Sequence, residues 1–352
     1  MKNFILLNST KSNLKMTLLF IWVGLVPTLS HSQNYRTIDA YMDDFGKNEL
    51  YIKKTFMDYT VTIVESQLYS RTQTTVTRIV EKLQNMNNIL KNRDKGFEGN
   101  TMLRDSFIKM NEITMECLTN GTLILTDYEA QSGLALPEIG ENLNSKEIEL
   151  LAYFNALRQY ENDKKQFASV YKMYFKGSKG KNLLEYNAKQ NILFYKLNVI
   201  DEKLAAVVAA RDTKGFADCT NMIELMNQEV MAKTSELNGY FKDDSLNSAN
   251  VEYSIFITSQ KAKLNTLFNN YVAEYNTAQS LKSAAQAGES ATITAYNNAV
   301  DSSNTRKNLF YAVFNDIQSE KKVLYDNWFT TNSAFLKNNG RFVNLYDKYV
   351  YN

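Results

Sequence analysis

The sequence predicts an all-α protein, an elongated, coiled-coil-like helical bundle of about six or seven long helices. Apolar residues recur at alternating spacings of three and four in segment after segment, the period of helix faces packed side by side. Breakers are scarce, with 13 Gly and 2 Pro in 352 residues, whereas an all-β chain needs turn residues every 8–12 positions or so. Aromatic residues make up 12% of the chain, which argues for a packed core rather than disorder.

Residues 1–32 read as a signal peptide. Lys2, Lys11 and Lys15 make a positive start, Met16 to Leu29 is a short apolar run, and Ser30-His31-Ser32 is a small-x-small cleavage site. The run is shorter than the ~20 residues of a membrane span; the other reading is an uncleaved anchor. No later stretch is long enough to span a bilayer, so no transmembrane segment is expected in the mature chain.

The first helix starts near Tyr35 and carries Tyr41, Phe45, Ile52, Phe56, Tyr59 and Ile63. It continues through Val76, Ile79, Leu83, Met86 and Leu90, with a weak, bend-prone patch at Arg71 to Thr75. Gly96 and Gly99 break the chain. The next helix, through Leu103, Phe107, Met110, Thr114 and Cys117, kinks at Asn120-Gly121 and resumes to about Ala130. Residues 131–144, with Pro137 and Gly140, read as a loop. Asn144 and Glu147 resemble a capping box opening a helix to about Lys176. After the Gly177–Gly180 joint come helices from about Leu183 to Ala210 and from Phe216 to Leu237. Asn250 to Gln286 and Ser290 to about Lys337 form the last two. Across the Gly288 turn, Tyr271 to Asn276 is expected to face Ala295 to Ala299. The aromatic tail from Phe342 to Tyr351 is expected to dock on the bundle.

One short pattern occurs twice: a helix, a basic-acidic end, Gly and Phe, then another helix. It appears at Gly96-Phe97 and again at Gly215-Phe216. Each reads as a hairpin corner, with Gly left-handed and Phe plugging the bundle end. It suggests two similar helical units, 33–180 and 181–352.

The catalytic inventory is thin. The leader holds His31, the single histidine, so histidine triads and histidine-based zinc or haem sites are not expected of the mature chain. No Gly-rich phosphate loop is present; Lys176 to Lys181 lacks the spacing and the preceding strand. No catalytic, cofactor-binding or metal-binding residue is therefore assigned. The acid pairs Asp43-Asp44 and Asp243-Asp244 read as solvated or capping groups. Cys117 and Cys219 sit at apolar helix positions, either as a disulfide or as two separate buried thiols. Without the leader's three lysines the formal charge falls from +2 to −1, which gives no general pull on nucleic acid.

Several segments resemble a family of exported bacterial helical proteins first named as leptospiral-type surface proteins. They are Tyr41-Met42 with Asp58-Tyr59-Thr60, Gly96 to Asn100 with Leu103 to Ser106, and Gly215-Phe216 with Cys219. Tyr296 to Val300, and Asn327-Trp328 before Phe335-Leu336, extend the likeness over nearly the whole chain after the leader. It departs from the family at Glu65 to Arg71, where family members carry basic and histidine-containing residues. The resemblance implies an all-helical surface or periplasmic protein of unassigned biochemical role, and supplies no catalytic residues. The expectation is a non-enzymatic, exported protein that binds a protein or envelope component or serves as envelope structure. The alternative is a carboxylate-dependent hydrolase acting on envelope carbohydrate.

Overall fold

With so few residues to interrupt them, the apolar stripes run on as long helices. A computed structural model describes residues 35–66, 69–121, 125, 128–176, 182–288, 290–340 and 348–351. Their helices are α1 (Ile38–Ser66), α2 (Tyr69–Arg93), α3 (Met102–Thr119), the short α4 (Tyr128–Ser132) and α5 (Leu136–Val170). They continue with α6 (Leu183–Ala210), α7 (Thr213–Leu237), α8 (Ser245–Gln286) and α9 (Ser290–Asn339). The protein is all-α. A minor ribbon accompanies the helices: β1 (Met173–Lys176) pairs antiparallel with β2 (Lys348–Tyr351). The expected signal peptide and the Gly177–Gly180 joint lie outside the described residues.

Four boundaries differ from expectation. The predicted first helix is a hairpin, because α1 and α2 run antiparallel. The Tyr41 hydroxyl donates to Asp94 at 3.1 Å and the Lys82 ammonium to the Tyr51 hydroxyl at 2.7 Å. The Arg71–Thr75 patch lies inside α2, and this hairpin raises the number of helices of 18 residues or more to eight among the described residues. Asn120-Gly121 terminates α3 instead of kinking it, with Gly121 at φ +70°. Helix α5 begins well before Asn144, since Pro137 fits the first turn, where no N–H is needed, and Glu138 accepts the Ala135 N–H at 3.1 Å. It ends at Val170, six residues short of Lys176, where Lys172 turns left-handed at φ 58° and the chain enters β1.

The α8–α9 hairpin is correctly placed but its register is not as expected. Tyr271 packs on Phe310 and Tyr311, with centroids 6.2 and 6.1 Å apart. The stretch at Ala295 to Ala299 lies much closer to the turn than Tyr271 does, so the two cannot be level.

Side chains bury in one large cluster and two smaller ones. The larger takes α6 to α9 together with the first half of α5, through Ile139, Leu143, Leu150, Tyr153 and Phe154, and one end each of α1 and α3, through Met57, Val64 and Cys117. A second takes α1, α2 and α3 with the last half of α5, through Tyr160, Phe167 and Ala168. Leu157 touches both. Helices α1, α3 and α5 thus run through both cores.

Both predicted corner phenylalanines plug the core. Phe97 meets Tyr171 edge-on at 5.1 Å, and Phe216 stacks on Phe268 at 4.6 Å. The glycines before them act differently. Gly96 is left-handed at φ +81° and leads into a tight turn, in which Asn100 N–H donates to the Phe97 carbonyl at 2.9 Å. A Cβ on Gly96 would strike the Asn100 carbonyl. Gly215 is not left-handed: it lies in the first turn of α7, and the left-handed residue at that corner is Arg211, φ 58°. Its missing Cβ makes room for the Asp212 carboxylate, which accepts the Gly215 N–H at 2.9 Å as the cap of α7. Gly96→Ala is expected to cost about 2–3 kcal/mol, because backbone must move and an L-residue is strained there. Gly215→Ala is expected to cost only about 1 kcal/mol, the worth of a displaced cap. Urea unfolding of both variants decides the matter; equal losses would contradict this account of the two corners.

Candidate functional site: a groove over α8

The groove is held by α6, which the other helices of the larger core surround. Ile192 to Asp201 are all buried, and most polar groups of α6 find partners inside, the Tyr186 hydroxyl excepted. Asn187, Asn332 and Asn191 close a ring of amides, with bonds of 2.6, 2.8 and 2.9 Å. Gln190 donates to Asn247 at 2.8 Å and accepts from Asn250, whose own carbonyl oxygen accepts the Trp328 indole N–H at 2.9 Å. The Trp328 ring in turn lies flat on Phe194, centroids 3.8 Å apart. Lys196 reaches Glu147 at 2.5 Å and Glu229 at 2.6 Å. Lys321 pairs with Asp201 and Glu202. Burial pulls its pKa down, but those two carboxylates outweigh burial and hold it above the ordinary value. These bonds fix α7, α8 and α9 against α6 and so set the outer faces those helices present.

One such face is concave. Asp244, at the N-terminal end of α8, and Ser248, Val251, Glu252, Ile255 and Ser259, one to four residues apart along it, expose one side of the helix as a floor. Met231, Thr234, Ser235 and Asn238 of α7 form one wall, and Glu320 and Leu324 of α9 the other. The open groove has a volume of about 790 Å³. Ile255 is half exposed in it. The 14 lining residues include three carboxylates and no Lys, Arg or His. One Asp244 oxygen, Oδ1, is shut from solvent with no hydrogen-bond partner. A smaller cavity of about 50 Å³ lies between α1, α5 and α6, lined by Phe56, Tyr59, Tyr153 and Asn187 among others. The Tyr59 hydroxyl is buried there without a partner, and burial raises its pKa.

The groove gathers Asp244 from one predicted acid pair, and none of the residues singled out at the corners. Asp243, one residue before the N-cap of α8, accepts the Ser245 N–H at 3.2 Å and its hydroxyl at 2.6 Å. Asp43 and Asp44 flank Lys47 at 3.6 and 3.7 Å. Sequence reasoning passed over Glu252, Ile255 and Glu320. The three-residue spacing of Glu252 and Ile255 on α8 was the available signal, but it reads like any half-buried helix stripe, and nothing in the sequence ties Glu320 of α9 to it. Among the described residues, no His, Cys, Asp and Glu cluster to hold a metal, and no helix is long and apolar enough to cross a membrane.

No match to this chain is found among protein families, curated proteins or solved structures.

Cys117 and Cys219 are free thiols, both buried in the larger core. Of the two arrangements open from sequence, the structure has the separate thiols. Burial pushes each thiol up to about 11, so both stay protonated at neutral pH, and only the thiolate is nucleophilic. A thiol reagent at neutral pH is expected to leave the native protein unlabelled and to titrate both cysteines in denaturant without reductant. Labelling that requires prior reduction would establish a disulfide instead.

Proposed function

We propose that this is an exported, non-enzymatic helical protein of the periplasm or cell surface that holds a protein or envelope component in the groove over α8. One observation carries the reading: a concave face remains open over α8, with Val251 and the half-exposed Ile255 at its centre and polar side chains around them. An apolar trough edged by polar groups is the form in which helical proteins receive partners. The leader-like residues 1–32 support export, and the resemblance to leptospiral-type surface proteins supports an envelope setting.

The alternative hydrolase would draw on Asp244, Glu252 and Glu320 in the same groove. Asp244 and Glu252 are eight residues apart, about 12 Å along the helix axis. That is wider than the roughly 5–10 Å between glycosidase carboxylates; Glu320, near the level of Thr258, stands about 9 Å from Glu252 along the axis and a helix spacing of about 8–10 Å across, so binding is the better reading.

The test is a photo-crosslinking side chain placed at Ile255 in the natural host, with Leu151 of α5 as an exposed control outside the groove. The expected result is a chain whose N-terminus is Gln33, found in the periplasmic or surface fraction, with an adduct from position 255 and none from 151. A chain retaining residues 1–32 in the cytoplasm, or equal adducts at the two positions, would overturn the proposal.

A further inference from the structure

We infer that the groove takes a basic amphipathic helix of about 15 residues, carried by a partner protein; this inference rests on reading the groove as the partner-binding face. Length, shape and charge each contribute. From Asp244 to Ser259 the floor runs about 22 Å at a rise of about 1.5 Å per residue, the span of four helical turns. Val251 and Ile255 form its apolar centre between the walls of α7 and α9, a trough suited to the apolar stripe of an incoming helix at i, i+3, i+4 and i+7.

The carboxylates select the flanks of that helix. Trp328 bonds to Asn250, so in the antiparallel hairpin Glu320, eight residues before Trp328, stands near the level of Thr258. Asp244, Glu252 and Glu320 therefore mark one end, the middle and the other end of the groove. No ion pair among the described residues engages any of the three, and no cation lines the groove to offset them. An acidic or neutral helix would bury the Asp244 and Glu252 side of the groove without compensation, whereas lysines or arginines at the edges of a basic helix would neutralise it.

The experiment uses the chain from Gln33 onward and two fluorescein-labelled peptides of about 15 residues. One has a leucine stripe with lysine edges, the other the same stripe with glutamate edges; a scrambled lysine peptide controls for composition. Fluorescence anisotropy is read with wild type, with Ile255→Asp, and with the double variant Glu252→Lys/Glu320→Lys, each checked by circular dichroism. The lysine peptide is expected to bind wild type and to weaken at least about tenfold in both variants, equivalent to about 1.4 kcal/mol. Raised salt is expected to weaken it further. The glutamate peptide is expected to bind only the double variant. Should the lysine substitutions disturb the fold, Glu252→Gln/Glu320→Gln serves the same purpose, with a smaller loss expected. Wild type binding the glutamate peptide as tightly, with Ile255→Asp abolishing it, would overturn the basic occupant and leave the groove as a binding face. No binding by any peptide, binding of the scrambled peptide as tight as the ordered one, or binding indifferent to Ile255→Asp, would overturn both.

Discussion

A helix buried on every side must satisfy its own polar side chains from within the core, and α6 places that constraint on the rest of this fold. Ten consecutive residues from Ile192 to Asp201 are out of water, including Lys196, Asn198 and Asp201. Each unpartnered buried polar group costs about 1–3 kcal/mol, and charged groups more. The neighbours must therefore bring the right atom to the right height. Glu147 comes from α5, Glu229 from α7, Asn247, Asn250 and Tyr253 from α8, and Lys321 and Asn332 from α9. Apolar packing alone tolerates sliding by a turn; amide and ammonium partners do not, so the polar core sets register.

Away from α6 the demands relax. Between Gln279 and Asn298 no described residue is buried, so the tip of the α8–α9 hairpin rests on little beyond the contact of its two helices. At its base Arg211 lies 4.3 Å from the centroid of the Tyr275 ring and donates to the Tyr271 hydroxyl at 3.5 Å. The groove occupies an intermediate zone. Its floor belongs to a helix pinned from behind by Asn247 and Asn250, while its outward side chains are free to meet something else. A rigid support beneath an adaptable face suits recognition. The second cluster, around Tyr41, Phe45, Phe107 and Phe167, is coupled to this region through the continuous backbone of α5 and has its own buried cation, Lys164, held by Glu49 at 2.8 Å and Glu161 at 3.0 Å.

Much of the helical layout was legible because its ends carry chemical marks. Helix α6 runs over the predicted 183–210, with Asn182 accepting the Glu185 N–H at 3.1 Å and a left-handed residue at the far end. Helices α7 to α9 end near Asn238, Gly288 and Gly340 as breakers dictate. The α1–α2 hairpin was not legible, since the sequence has no Gly or Pro between the end of α1 at Ser66 and the start of α2 at Tyr69, and both arms keep one apolar period. Pro137 misled because proline breaks helix interiors but suits first turns. The β1–β2 pair unites four-residue strands about 170 positions apart, and no local pattern announces a pairing of that range. For the groove the obstacle was different. Buried Asn187, Asn250 and Asn332 look like surface residues in a linear reading, whereas exposed Ile255 looks like core. Only the positions of the neighbouring helices separate the two.

The most direct measurement of the claim that α6 organises the fold is hydrogen–deuterium exchange, resolved by peptide, on the native chain. Amides of α6 from about Ile192 to Leu204 should be the slowest in the molecule, exchanging only with global unfolding, while those around the Gly288 turn exchange orders of magnitude faster. An α6 that exchanges as fast as the α8–α9 tip, or ahead of α7 and α9, would contradict the account.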